Sequence, residues 1–229
     1  MVKINLPFKI ITLFFLQFSF CQQELEKGFV YLDKFIPNIV FDLRYGGVDN
    51  FTGKVVKGYE NASPIATIQM AEALKKAQIY LELRGLGLKI FDAYRPQKSV
   101  NSFIEWSEKK SDTLMKEKYY PKEKKENLFR KGYISKLSGH SRGSSVDLTI
   151  IHLFGEKSGE EIDMGSTWDY FGEKSSISTK NINPIQQKNR LILKTMMEMF
   201  GFIPYEKEWW HFTLKDEPFP NKYFDFLVN

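Results

Sequence analysis

The chain has 229 residues, of which 42% are hydrophobic and 27% charged, with 3 histidines and 1 cysteine. That size and apolar fraction suit one globular domain with a true core; they exclude a disordered chain, a collagen-like repeat and, with a single Cys, a fold stapled by internal disulfides. The 33 basic against 28 acidic residues give +5, but residues 1–21 hold two lysines and no acid, so 31 against 28 leaves +3 beyond them and nucleic-acid binding is not implied.

At the N-terminus, Lys3 and Lys9 flank the start of an apolar run of eleven, Ile10 to Phe20. The run is too short to span a bilayer and right for the apolar core of an export signal. Residues 1–21 are therefore expected to be a signal peptide and residues 22–229 a single folded domain, exported to the periplasm, with no transmembrane helix after signal removal. A buried first helix is the bland alternative, but the segment has no polar face. Ser19 and Cys21 fit the small residues of an ordinary cleavage site; alternatively Cys21 becomes the lipid-bearing first residue of a lipoprotein, against which the bulky Phe20 counts. Ordinary cleavage leaves no Cys, which suits an oxidising compartment.

Beyond the signal, Ser63-Pro64 reads as a helix start, with Ile68, Ala71, Leu74 and Leu81 lining one face and Arg84-Gly85 stopping it. A strand from Leu88 to Asp92 delivers the turn Ala93-Tyr94-Arg95-Pro96, and Pro96 opens another helix through Val100, Phe103 and Ile104. Glu105 to Lys131 is rich in Lys and Glu and reads as a solvated helix and loop, or as a lid. Ser145 to Leu153 is β-branched and reads as a central strand. Asn183-Pro184 caps a long helix, Ile185 to Phe200, closed by Gly201, and Trp209 to Leu214 reads as a strand. Helices and short strands in this order suggest an α+β fold.

His140 lies in a small-residue stretch leading into the strand that carries Asp147, and His211 lies on another expected strand. Two imidazoles and one carboxylate make a three-ligand zinc set that leaves a fourth position open for water. His152, five residues after Asp147, points to the opposite face of an extended strand and is excluded. Taken alone, His140 and Asp147 have a bland reading as a capped turn with a hydrogen-bonded carboxylate. Glu208 is a candidate base beside the metal water, but its parity with His211 is wrong unless the chain bends, which Pro204 and Tyr205-Glu206-Lys207 permit. Arg95, at a strand end, is placed to meet a developing oxyanion or a substrate carboxylate, or else to form a structural ion pair with Asp92.

The run Ser138-x-His140-x-x-Gly143-x-x-x-Asp147, with Glu208-Trp209-Trp210-His211 and Asp92-Ala93-Tyr94-Arg95-Pro96, resembles the zinc D-alanyl-D-alanine dipeptidases of the vancomycin-resistance type, in peptidase family M15. The likeness runs through Asp49-Asn50-Phe51-Thr52-Gly53, Gly58-Tyr59, Tyr119-Tyr120-Pro121, Met164-Gly165-Ser166 and Tyr223-Phe224-Asp225-Phe226. It implies a hedgehog/D,D-peptidase-like fold, a small antiparallel sheet flanked by helices, with one Zn2+ per chain and a small D,D-dipeptide substrate. It further implies His140, Asp147 and His211 as ligands, Glu208 as base and Arg95 as transition-state stabiliser. Tyr45 and Asp169 match positions near the substrate's amino terminus, and Ser138 one that lines the pocket. Ser145 departs from the usual Ala, adding a hydroxyl, and Gly46-Gly47 loosen the segment after Tyr45. Export points to recovery of D-alanine from wall turnover. Three other readings stay open. A D,D- or L,D-carboxypeptidase or endopeptidase would act on peptidoglycan peptides, while a non-catalytic zinc wall-binding module would be marked by loss of the base or the arginine. A structural zinc domain would need a fourth protein ligand.

Overall fold

A computed structural model describes residues 25–228, so the export-signal reading and Cys21 fall outside the described residues. The elements in chain order are β1 (Phe29–Tyr31), α1 (Leu32–Phe35), β2 (Val40–Phe41), β3 (Ile65–Thr67), α2 (Ile68–Glu82), β4 (Leu86–Asp92), α3 (Gln97–Glu108), α4 (Lys116–Tyr119), α5 (Lys125–Leu128), β5 (Ser145–His152), α6 (Pro184–Met199), β6 (Phe202–Tyr205) and β7 (Glu208–Leu214). The fold is α+β with a small antiparallel sheet, as expected, and beside it a larger mixed sheet that the sequence did not suggest. Five strands run in the order β2-β4-β5-β7-β6, with β2 and β4 parallel and the other pairs antiparallel, and β1 and β3 form a separate antiparallel pair.

β5 is the central strand that its composition suggests, since Ser145 through Ile151 are all buried between β4 and β7. α6 starts where the sequence says, with Asn183 and Gln186 exchanging side-chain to backbone hydrogen bonds in a capping box and Pro184 in the first turn. α2 does not start at Ser63-Pro64. Ile65-Ala66-Thr67 pairs with Phe29–Tyr31 instead, and the Thr67 hydroxyl accepts from the Met70 N–H as the helix cap. The buried stripe of α2 accordingly runs through Met70, Ala71, Leu74, Ala77 and Leu81, while Ile68 is exposed.

Residues 105–131 also differ from the solvated face expected of them. Trp106, Tyr119, Tyr120 and Leu128 are core residues, and the Lys125 ammonium is buried, donating to the Trp106 and Lys109 carbonyls at the end of α3. Four large side chains outweigh many charged ones in area removed from water, and that area decides which way the segment faces. Trp106 packs on Phe51, Phe51 on Phe103 and Phe171, and this aromatic layer backs the cleft described below. The segment thus packs into the core behind the cleft, and the residues that line the cleft come from outside it.

Two irregularities in the sheet matter for the site. In β4 the register shifts between Ile90 and Asp92, so that Asp92 lies opposite Asp147. In a regular ladder Phe91 would hold that place and Asp92 would face the other way. In β7 the pairing jumps from Pro204↔Phe212 to Tyr205↔Glu208, and Trp209 and Trp210 are both buried, so strand alternation is broken between Glu208 and His211.

The turn into β5 depends on Gly143, which has φ +77° and closes a 3-10 turn, Gly139–Arg142. A Cβ there would lie 2.2 Å from the Phe29 ring. Gly143→Ala combines left-handed strain with overpacking, and a loss of at least about 2 kcal/mol in stability is expected by chemical denaturation. An unchanged midpoint would show that Phe29 yields freely.

Candidate active site and metal centre

Two segments remote in sequence, His140 to Asp147 and the strand that carries His211, meet near the start of β5. Asp147 on β5 is the register partner of His211 on β7, so their side chains share a face. His140 comes from the 3-10 turn just before β5, whose first N–H groups are capped by the Ser138 hydroxyl accepting from the His140 amide at 3.3 Å. The His140 ring donates Nδ1–H to the Ala93 carbonyl at 2.7 Å, which fixes the tautomer and leaves the Nε2 lone pair free.

That Nε2 lies 3.1 Å from His211 Nδ1 and 3.3 Å from Asp147 Oδ1, and the last two atoms are 3.0 Å apart. Such spacing is that of three corners of a tetrahedron whose centre is about 2.0 Å from each, the distance at which imidazole nitrogen and carboxylate oxygen hold a metal such as zinc. The donor set therefore fits a metal ion, and among the described residues it is the one His/Asp/Glu/Cys group that does. The charge balance agrees. Asp92, Asp147 and Asp169 are at most 5% exposed and the Glu208 side chain 12%, while Arg95 is the only Lys or Arg lining the cleft.

The second oxygen of Asp147 is held from behind. Trp168 donates its indole N–H to Oδ2 at 3.2 Å, and Arg95 Nη2 lies 3.6 Å from the same oxygen. Burial pushes Asp147 up, but the two imidazoles outweigh it and hold the carboxyl well below its usual range. His211 is pulled down by burial, which favours the neutral ring that ligates. On its far side His211 Nε2 is 3.5 Å from Thr213 Oγ1, which shares a 2.7 Å hydrogen bond with the Ser145 hydroxyl. The hydroxyl by which Ser145 departs from the usual Ala thus bonds across to β7 behind the ligand.

Glu208 reaches the site through the break in β7, with Oε2 3.9 Å from His211 Nδ1. The bend that its parity demanded is present. Burial, then the charges of Asp147 and Asp169, push Glu208 well above the ordinary carboxylate range. Arg95 forms the ion pair with Asp92 that was one of its two expected readings, and it also lines the cleft. Nε and Nη2 hold Asp92 Oδ2 at 2.8 and 2.7 Å, and the guanidinium also lines the cleft over the Tyr45 ring. Asp92 itself accepts from the Tyr59 hydroxyl at 2.5 Å.

Tyr45 is 1% exposed and donates its hydroxyl to Asp169 Oδ2 at 2.6 Å. The glycines after it do not loosen it. Gly46 is packed closely, since a Cβ there would lie 3.0 Å from Ala62. Asp169 has φ +58°, the one non-glycine left-handed residue among those described, which is costly and typical of functional sites. Burial and the charge of Asp147 push its carboxyl well up. Ser138 lines the cleft with Tyr45, Asp169, Glu208 and the metal set, so every expected site residue is brought together. His152 is not among them, lying at the far end of β5 opposite Leu86. Sequence reasoning missed Trp168 and Tyr59, whose roles arise from contacts distant in the chain; adjacency to Asp169 was the only pointer to Trp168.

A two-histidine, one-carboxylate donor set with a further carboxylate beside it is the constellation of a metal-dependent hydrolase. The sequence matches the peptidase M15 family, described as D-ala-D-ala dipeptidase, over residues 25–229. It is 43% identical to a D-alanyl-D-alanine dipeptidase of Enterococcus faecalis over 90% of this chain and 100% of that protein. The corresponding figures are 39%, 87% and 98% for the protein of that name from Streptomyces coelicolor, and 31%, 78% and 80% for that of Escherichia coli. The chain belongs to the M15 D-Ala-D-Ala dipeptidase family.

Trp168→Phe keeps the ring and removes the N–H that orients Asp147. Metal retention is expected to weaken roughly 10- to 100-fold in a chelator titration. Unchanged retention would mean that the indole contributes packing alone.

Proposed function

We propose that this chain is a zinc dipeptidase that hydrolyses D-alanyl-D-alanine to D-alanine. The observation that carries the reading is the Glu208 carboxylate 3.9 Å from a metal-ligand atom, inside a cleft of about 280 Å3 that also holds the Tyr45–Asp169 pair. Ligand pockets commonly run from roughly 300 to 1,000 Å3, so this one suits a very small substrate.

Zinc bound to His140, Asp147 and His211 would supply Lewis acidity to the scissile carbonyl and to the attacking water. Glu208 accepts the proton of that water and returns it to the departing amine. Its Oε2 stands 3.9 Å from His211 Nδ1, close enough to the metal set for both transfers. Arg95 is already fixed by Asp92 through Nε and Nη2, so its guanidinium is pre-oriented toward the negative oxygen that develops as water adds.

Asp169 meets the substrate's free ammonium. Without such a cation, burial and Asp147 favour the neutral carboxyl; a bound ammonium restores the ionised form and pairs with it. A peptide extended at that end brings an uncharged amide instead, which cannot form the ion pair with Asp169, so it forfeits that attraction and is disfavoured. Ser138 also lines the small cleft. The α+β architecture is in keeping with the hedgehog/D,D-peptidase-like fold. Export, suggested by Lys3, Lys9 and the apolar run to Phe20, places the activity in the periplasm, where it recovers D-alanine from wall turnover.

The test is release of D-alanine from a panel of D,D-, L,D- and L,L-dipeptides and a D-Ala-D-Ala-terminated pentapeptide. D-Ala-D-Ala is expected to be preferred, chelator to abolish turnover and zinc to restore it. Arg95→Ala and Glu208→Ala should each lose on the order of 10²–10³ in kcat while remaining folded. Wild-type rates in either variant, or indifference to chelator, would overturn the assigned roles.

A further inference from the structure

Arg190, in the middle of α6, is 2% exposed, and no carboxylate lies within 4.0 Å of it among the described residues. A buried guanidinium without an acidic partner is costly, so its neutral contacts must be worth the desolvation. Those contacts are unusually directed. Nε donates to the Met164 carbonyl at 2.6 Å and Nη1 to the Ser176 carbonyl at 2.8 Å, while Nη2 lies 3.3 Å from the Ser166 hydroxyl.

Met164 and Ser176 are the two legs of one irregular segment between β5 and α6. The segment between them carries Trp168 and Asp169, the latter strained at φ +58° and bonded to Tyr45. Ser166 also accepts the indole N–H of Trp209 at 2.9 Å, beside Glu208. The planar fork of one arginine thus ties both legs of the segment together and ties them to the strand that holds the carboxylate base. A lysine, a single point donor on a flexible stem, cannot hold three acceptors in fixed relative positions.

We propose that Arg190 is a positioning residue for recognition of the substrate's ammonium end: it holds the 164–176 segment closed so that Asp169 is presented to the cleft in its strained conformation. The proposal rests on the reading of Asp169 as the ammonium acceptor.

The test compares Arg190→Lys, Asp169→Asn and the double variant, measuring KM and kcat on D-Ala-D-Ala, bound zinc and thermal stability. Arg190→Lys is expected to raise KM about tenfold with kcat changed little and zinc content intact, and the double variant to be no worse in KM than Asp169→Asn alone. A lower melting temperature with unchanged KM would show a merely structural role. Multiplicative effects in the double variant, or loss of zinc in place of the KM change, would equally overturn the proposal. If Asp169→Asn itself leaves KM unchanged, the ammonium reading fails, and the Arg190 proposal with it; if Asp169→Asn raises KM and Arg190→Lys does not, only the latter fails. Should Arg190→Lys not fold, Ser166→Ala removes one contact of the fork and decides. A few-fold, non-additive rise in KM supports the role, and an unchanged KM overturns it.

Discussion

Four carboxyl groups are buried around one small cleft, and the way their charge is matched organises everything else there. Asp92 is satisfied by Arg95 and the Tyr59 hydroxyl. Asp147 accepts from the Trp168 indole on one oxygen and turns the other toward the two imidazoles, where the donor set fits a metal ion. Glu208 has no fixed cation, and Asp169 has only a tyrosine hydroxyl; burial and like charge push both toward the protonated form. The groups left electrostatically open are therefore those that face the substrate space, whereas the satisfied ones form its scaffold. In a low-dielectric pocket this division sets which carboxyl groups are pushed toward the neutral form and which are held ionised.

The sheet reaches this arrangement by departing twice from regularity. Strand alternation alone would turn Asp92 away from Asp147 and Glu208 away from His211. The bulge at Phe91 corrects the first, and the break at Trp209-Trp210 corrects the second, burying two large indoles as it does so. Each break forfeits ladder hydrogen bonds, and the aromatic area buried beside it is what stabilises the distortion.

Local chemistry made part of this legible in the sequence. The Asn183-Pro184 cap, the β-branched run of β5 and the strand-turn-helix around Arg95 are written in neighbouring residues, and the structure follows them. The conflict between the chemistry and the parity of Glu208 also pointed to a bend before any coordinates did. What stayed hidden depends on partners far along the chain. Ile65-Ala66-Thr67 became a strand because Phe29–Tyr31 lies beside it, and β2 joined β4 in parallel across more than forty residues. Residues 105–131 read as solvated because their lysines and glutamates outnumber the four residues that dominate burial. Trp168 and Arg190 lie in no motif, and Tyr59 lies in a matched stretch that gave it no role, since each acts through contacts fixed only by the finished fold.

The wall of the cleft is fastened to the hairpin that carries the proposed base. The Tyr205 hydroxyl donates to the Gly132 carbonyl at 2.9 Å, and the Lys207 ammonium to that of Lys131, while Tyr133, Ile134 and Leu137 line the space beyond. Widening the cleft for a longer peptide would pull on the β6–β7 turn, directly after which Glu208 begins its strand. Because packed elements shift as units rather than deforming continuously, room for a larger substrate and the placement of the proton acceptor are not independent. The wall of the cleft and the hairpin that carries Glu208 are thus tied to each other by these two hydrogen bonds.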